Sequence, residues 1–125
     1  MTLYFAPRVI RETSQGIEHL PIDELMLQRR EIWLNREIDS NLADAVIQQI
    51  LHLEAEQPRT EITMYIDSPG GSVSAGLAIY DVMQAVPSPV RTVCVGMAAS
   101  MAGVLFAAGS TREMLRHSGG MIHDP

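Results

Sequence analysis

Apolar and polar positions change period repeatedly along the 125-residue chain, and each change predicts an element. Residues 1–20 carry the breakers Pro7 and Gly16 and end at Pro21, with no sustained period, and read as an irregular arm ahead of a main body spanning 21–125. Pro21 suits a helix start, and Ile22, Leu25, Met26 and Arg29 follow at helical spacing. Glu31-Ile32-Trp33-Leu34 predicts a short strand. Asp39 or Ser40 can cap the next helix, where Leu42, Val46, Ile47, Ile50, Leu51 and Leu53 follow a 3.6-residue period until Pro58. Residues 62–66 form a β-rich run, 73–86 a helix stopped by Pro87-Ser88-Pro89, 90–95 a strand and 100–108 a helix beyond Gly96. Met121-Ile122 suggests a last short strand carrying His123. Strands alternating with helices predict an α/β fold of parallel βαβ units, with active groups where strands end and helices begin.

Two of those strand-to-helix turns carry candidate chemistry. Ser68-Pro69-Gly70-Gly71 has adjacent glycines, whose backbone reaches positive φ and approaches a substrate closely. The Gly71 N–H can then act as an oxyanion donor, although a plain tight connection explains the same residues. A nucleotide P-loop is a poor match, because the Gly-Lys-Ser/Thr ending is missing. The second turn, Gly96-Met97-Ala98-Ala99-Ser100-Met101-Ala102-Gly103, sets one serine among small residues. Ser100 can present its hydroxyl as a nucleophile beside the Met101 N–H, or simply cap an apolar helix. It does not lie in Gly-x-Ser-x-Gly, so an α/β-hydrolase elbow is not supported.

His123 is the candidate general base. His19, His52 and His117 lie in polar surroundings, and none of the histidines shows metal-ligand spacing, so no metal site is expected. An acid to orient the imidazole is not assigned: Asp124 points to the opposite side of an extended segment, while Asp67 and Asp81 flank the first turn and its helix.

Composition narrows these readings. With 46% hydrophobic and 19% charged residues the chain suits one globular domain. A net charge of −6 and a pI near 5.0 argue against nucleic-acid binding. No basic-then-apolar leader opens the sequence. The apolar stretch 93–109 approaches the length of a membrane span, but Gly96 and Gly103 favour a buried core. The lone Cys94 sits in that stretch as a packed thiol and fits a reducing cytoplasm.

Taken together, the motifs resemble the proteolytic subunit of the Clp protease, a family of ATP-dependent serine peptidases. The resemblance runs through Leu53-Glu54-Ala55-Glu56, Tyr65-Ile66-Asp67-Ser68-Pro69-Gly70-Gly71, Ile79-Tyr80-Asp81, the Ser100 octapeptide and Met121-Ile122-His123-Asp124-Pro125. It implies Ser100 as nucleophile, His123 as general base, and the Gly71 and Met101 N–H groups as the oxyanion hole. It further implies a crotonase-like stack of βαβ units, truncated after the catalytic histidine, with the triad aspartate on a segment beyond it. The implied assembly is a heptameric ring, homo- or hetero-oligomeric, paired face to face in the cytoplasm. A Clp-type AAA+ ATPase, which itself hydrolyses the ATP, would feed it unfolded polypeptide past the 1–20 arm. No cofactor, metal, nucleic acid or membrane enters this picture. Asp67 stands where the family usually has asparagine, and Thr63 and Ala85 where aromatics are common; Tyr65 matches. Two other readings remain: a non-catalytic or truncated ring subunit lacking the triad acid, and an acyl-CoA-binding enzyme of the same fold.

Overall fold

In the computed structural model, which describes residues 8–121, the chain opens with β1 (Arg8–Thr13) and β2 (Gly16–Pro21), an antiparallel hairpin. This corrects the expectation of an irregular segment. Val9, Ile10, Thr13 and Ile17 favour extended backbone, and Gly16 at φ +129° closes the turn. The alternation that would have marked the strands is missing because almost all of the hairpin faces solvent, Ile10 and Ile17 included. The exposed pair between Arg11 and Glu18, at 2.9 Å, bridges its two strands.

The chain continues through α1 (Ile22–Gln28), β3 (Glu31–Leu34), α2 (Ser40–Glu56), β4 (Ile62–Ser68) and α3 (Val73–Ala85). β5 (Val90–Ala99), α4 (Met101–Ala107), β6 (Arg112–Met114) and β7 (Gly119–Met121) complete it. Strands β3, β4, β5 and β6 lie in that order, all parallel, and β7 pairs with the far end of β5 beyond β6. Asp39, rather than Ser40, caps α2: its carboxylate accepts the Leu42 N–H at 2.7 Å.

Alternation along the strands builds the core. Ile32 and Leu34 of β3, Ile62, Met64 and Ile66 of β4, and Val90 and Cys94 of β5 turn to one face. There they meet Val46, Ile50 and Leu53 of α2, Ile79 and Met83 of α3, and Ala102 and Leu105 of α4. Each large apolar side chain so buried contributes roughly 1.5–3 kcal/mol. An exposed ion pair such as Arg11–Glu18 contributes at most about 1 kcal/mol, so stability resides in the helix-covered sheet.

Two further corrections bear on function. β5 does not stop at residue 95 but runs through Gly96 to Ala99, so the long apolar stretch divides between a strand end and the short helix α4. No helix among the described residues is long and apolar enough to cross a membrane. β6 had no sequence signal, its three residues being exposed. β7 lies just before the strand expected at 121–122; Ile122 is outside the described residues.

Candidate active site

The two turns singled out in the sequence end neighbouring strands, β4 and β5, and meet in space. A Cβ on Gly70 would lie 2.7 Å from both the Ala99 carbonyl oxygen and Ser100 Cβ, and 3.1 Å from the Met101 nitrogen. Gly70 itself sits at φ +99°. Glycine is therefore required twice over, by backbone conformation and by the contact with the Ser100 turn.

The Ser68-Pro69-Gly70-Gly71 turn is held from below. Ser68 is buried, donates its hydroxyl to the Arg36 carbonyl at 2.7 Å and accepts the Gly70 N–H at 3.1 Å. Ile38 grips the turn from the side: its N–H donates to Gly70 O and its carbonyl accepts from Ser72 N, both at 2.8 Å. This is a one-residue parallel bridge centred on Gly71. In such a bridge the central residue's own N–H turns away from its partner. The Gly71 N–H is thus unclaimed by Ile38, on an exposed stretch of chain. Ser72 then caps α3 through the Ala75 N–H at 3.2 Å.

Ser100 occupies the N-cap position of α4 but does not cap it. Its backbone stands at φ 56°, ψ −126°, and its hydroxyl makes no capping hydrogen bond. A non-glycine residue in such a region stores about 1–3 kcal/mol of strain. The simple capped-helix reading of this serine therefore fails, because the conformation costs energy without the cap that would offset it. The strain is held by neighbours: the Ser100 N–H donates to Met121 O at 2.6 Å, and its carbonyl accepts the Val104 N–H at 3.2 Å. Ser100 is half-buried, with buried Met101 behind it. The Met101 N–H, at the first position of α4, has no intrahelical acceptor. The close α3–α4 contact rests on Gly76, where a Cβ would fall 2.6 Å from Met101 Cε.

Gly70, Gly71, Ser100 and Met101 are thus one constellation. His123 and Asp124 lie outside the described residues; β7, which leads to them, runs beside Ala99 and ends at the carbonyl that holds Ser100. Asp81 is exposed on α3, and His19, His52 and His117 are exposed elsewhere. Asp67, by contrast, reaches β5 and accepts the Met97 N–H at 3.2 Å. Cys94 is buried, and burial first, then the Asp67 charge, push its thiol pKa upward, which leaves it a packing group. Among the described residues no three His, Cys, Asp or Glu side chains gather as metal ligands would.

Sequence reasoning missed Ser68 and Ile38. A serine two residues ahead of a glycine, before Pro-Gly, is a recognisable hydroxyl-turn signal for the first. Nothing local marks Ile38, whose role depends on the pairing of distant segments.

In a comparison against protein families, the family model described as Clp protease matches residues 14–125, nearly the whole chain. This chain belongs to the Clp protease family.

Proposed function

We propose that the chain is a serine endopeptidase subunit in which Ser100 is the nucleophile, His123 the general base, and the Gly71 and Met101 N–H groups the oxyanion hole. The observation that carries this reading is Ser100 itself, strained, uncapped and pressed against Gly70, beside a Gly71 N–H that Ile38 does not claim and a Met101 N–H with no acceptor within α4. The Ser100 hydroxyl attacks the scissile carbonyl carbon and passes its proton to the His123 imidazole. The oxyanion that forms accepts from the Gly71 and Met101 N–H groups, each donor worth roughly 3–4 kcal/mol in the transition state. The imidazolium returns its proton to the departing amine as the C–N bond breaks, leaving an ester on Ser100. Water, deprotonated by the same imidazole, then attacks the ester; as its C–O bond to Ser100 breaks, the imidazolium returns the proton to Ser100 Oγ and the acid is released.

The family supports a wider setting for this chemistry. Heptameric rings of a crotonase-like head, residues 21–125, would enclose the sites, with residues 1–20, which carry all of the β1–β2 hairpin but Pro21, as an arm at the axial entrance. A Clp-type AAA+ ATPase would deliver unfolded polypeptide, and no cofactor takes part in the cleavage itself. A fluorophosphonate probe tests the core of the proposal. It should label Ser100 in the wild-type chain, and Ser100→Ala should lose both the label and peptide hydrolysis. Unchanged hydrolysis by a folded Ser100→Ala protein would overturn it.

A further inference from the structure

β4 and β5 pair in regular register up to Ile66↔Cys94, then resume at Ser68↔Ala98. Between these pairs Val95, Gly96 and Met97 stand opposite Asp67 alone. A bulge of this kind bends a strand and re-aims the residues beyond it. It also releases backbone N–H groups from the ladder, and these need other acceptors. Two side chains supply them from opposite sides of β5. Asp67 Oδ1 on β4 accepts the Met97 N–H at 3.2 Å, and Ser118 Oγ, just before β7, accepts the Gly96 N–H at 2.7 Å. Gly96, at φ +87°, lets the carboxylate in, since a Cβ there would lie 2.8 Å from Asp67 Oδ1.

We propose that Asp67 and Ser118 are positioning residues that clamp the β5 bulge from both sides and so hold the Ser100 turn in its strained conformation. Each is joined by one peptide bond to a segment the site depends on. Asp67 precedes Ser68, whose hydroxyl holds the Gly70 N–H. Ser118 precedes Gly119, which opens the β7 pairing that ends with Met121 O on the Ser100 N–H. The clamp therefore sets one register for the oxyanion turn, the nucleophile turn and the strand leading to residue 123. Ser100 lies three residues past the bulge, so the clamp governs where its hydroxyl sits without touching substrate.

This inference rests on the peptidase reading for its effect on reactivity, but not for its effect on the backbone, and the test separates the two. In the full chain, amide hydrogen exchange is measured at Gly96, Met97 and Ser100, together with the rate of fluorophosphonate labelling at Ser100. Asp67→Ala and Ser118→Ala should each speed exchange at Ser100 as well as at the amide they release. Labelling should slow about ten- to a hundredfold, the usual effect of a misplaced reacting group. Asp67→Asn keeps an Oδ1 acceptor and should restore both readouts, which a loss of general stability would not explain. Asp81→Ala, on the exposed side of α3, should change neither. Ser100 exchange that stays at the wild-type rate in Ser118→Ala and in a folded Asp67→Ala would overturn the clamp. So would an Asp67→Asn variant as impaired as the alanine. If the wild-type protein takes no label, the peptidase reading fails while the exchange rates still decide the clamp. If Asp67→Ala does not fold, Ser118→Ala and Asp67→Asn decide it.

Discussion

At Gly70 the room for even a methyl group is already occupied, by the Ala99 carbonyl and by Ser100 Cβ at 2.7 Å. Gly16 has an equally unusual φ, +129°, yet nothing lies within 4 Å of where its Cβ would stand. The pair separates backbone strain from steric overlap. Gly16→Ala incurs the strain alone, about 1–3 kcal/mol, in a hairpin outside the core. Gly70→Ala adds displacement of the Ser100 turn, for a total of about 2–6 kcal/mol, since rigid backbone on both sides cannot yield as a flexible side chain would. Urea denaturation of the two variants should therefore rank Gly70→Ala as the more destabilised, and only that variant should lose Ser100 labelling. Equal labelling of both would mean that the two turns can part without consequence for the serine. Such contacts between residues thirty positions apart are invisible in sequence. The Gly70-Gly71 pair announced a special turn, and Ser100 announced a special serine, but their meeting is a product of strand order.

At the scale of elements, polar links fix how helices and strands join. Ser88, buried in the α3–β5 connection, donates its hydroxyl and its N–H to the Glu54 carboxylate near the end of α2, and accepts the Thr60 N–H at 3.2 Å. The Ser88 hydroxyl is the main cause holding the Glu54 pKa below the ordinary glutamate value of 4.5, with burial opposing it and the Ser88 N–H assisting. The folded pKa then lies below the unfolded one, so the native state binds fewer protons at this site. The stabilisation is present above the unfolded pKa and is lost as pH falls through the folded value. Ser88→Ala should return the Glu54 titration, followed by carboxyl-carbon NMR, toward the ordinary range and flatten the acid limb of the stability–pH curve. A Glu54 titration identical in both proteins would remove Ser88 as the cause. Most elements were legible because their periods are strong: α2, α3, β3 and the body of β4 form where apolar spacing places them. β5 outran its expected end because a mid-strand Gly96 reads as a turn, whereas here Asp67 and Ser118 carry the strand through it. Exposed β1, β2 and β6 carry no alternation, since no core selects one of their faces.

For the whole molecule, the distribution of burial predicts two levels of cooperativity. One continuous apolar cluster joins β3, β4 and β5 to α2, α3 and α4, and the β1–β2 hairpin contributes no residue to it. Losing any one of these layers exposes the others, so the helix-covered sheet should melt as a unit. The chain has a single tryptophan, Trp33, and it reports on the sheet face opposite the helices. There it stacks on Tyr65 with ring centroids 5.3 Å apart, and the Tyr65 hydroxyl donates to Glu31 at 2.7 Å. Trp33 fluorescence and far-UV circular dichroism should consequently give the same denaturation midpoint, although one senses the outer sheet face and the other mainly the helices. The hairpin amides, paired across the hairpin and open to water, should exchange hydrogen through local opening, far faster than those of β4. A fluorescence transition that precedes the loss of helix would mean that β3 and β4 part before the helices leave, and that the site at their far end rests on a less cooperative scaffold than its burial implies.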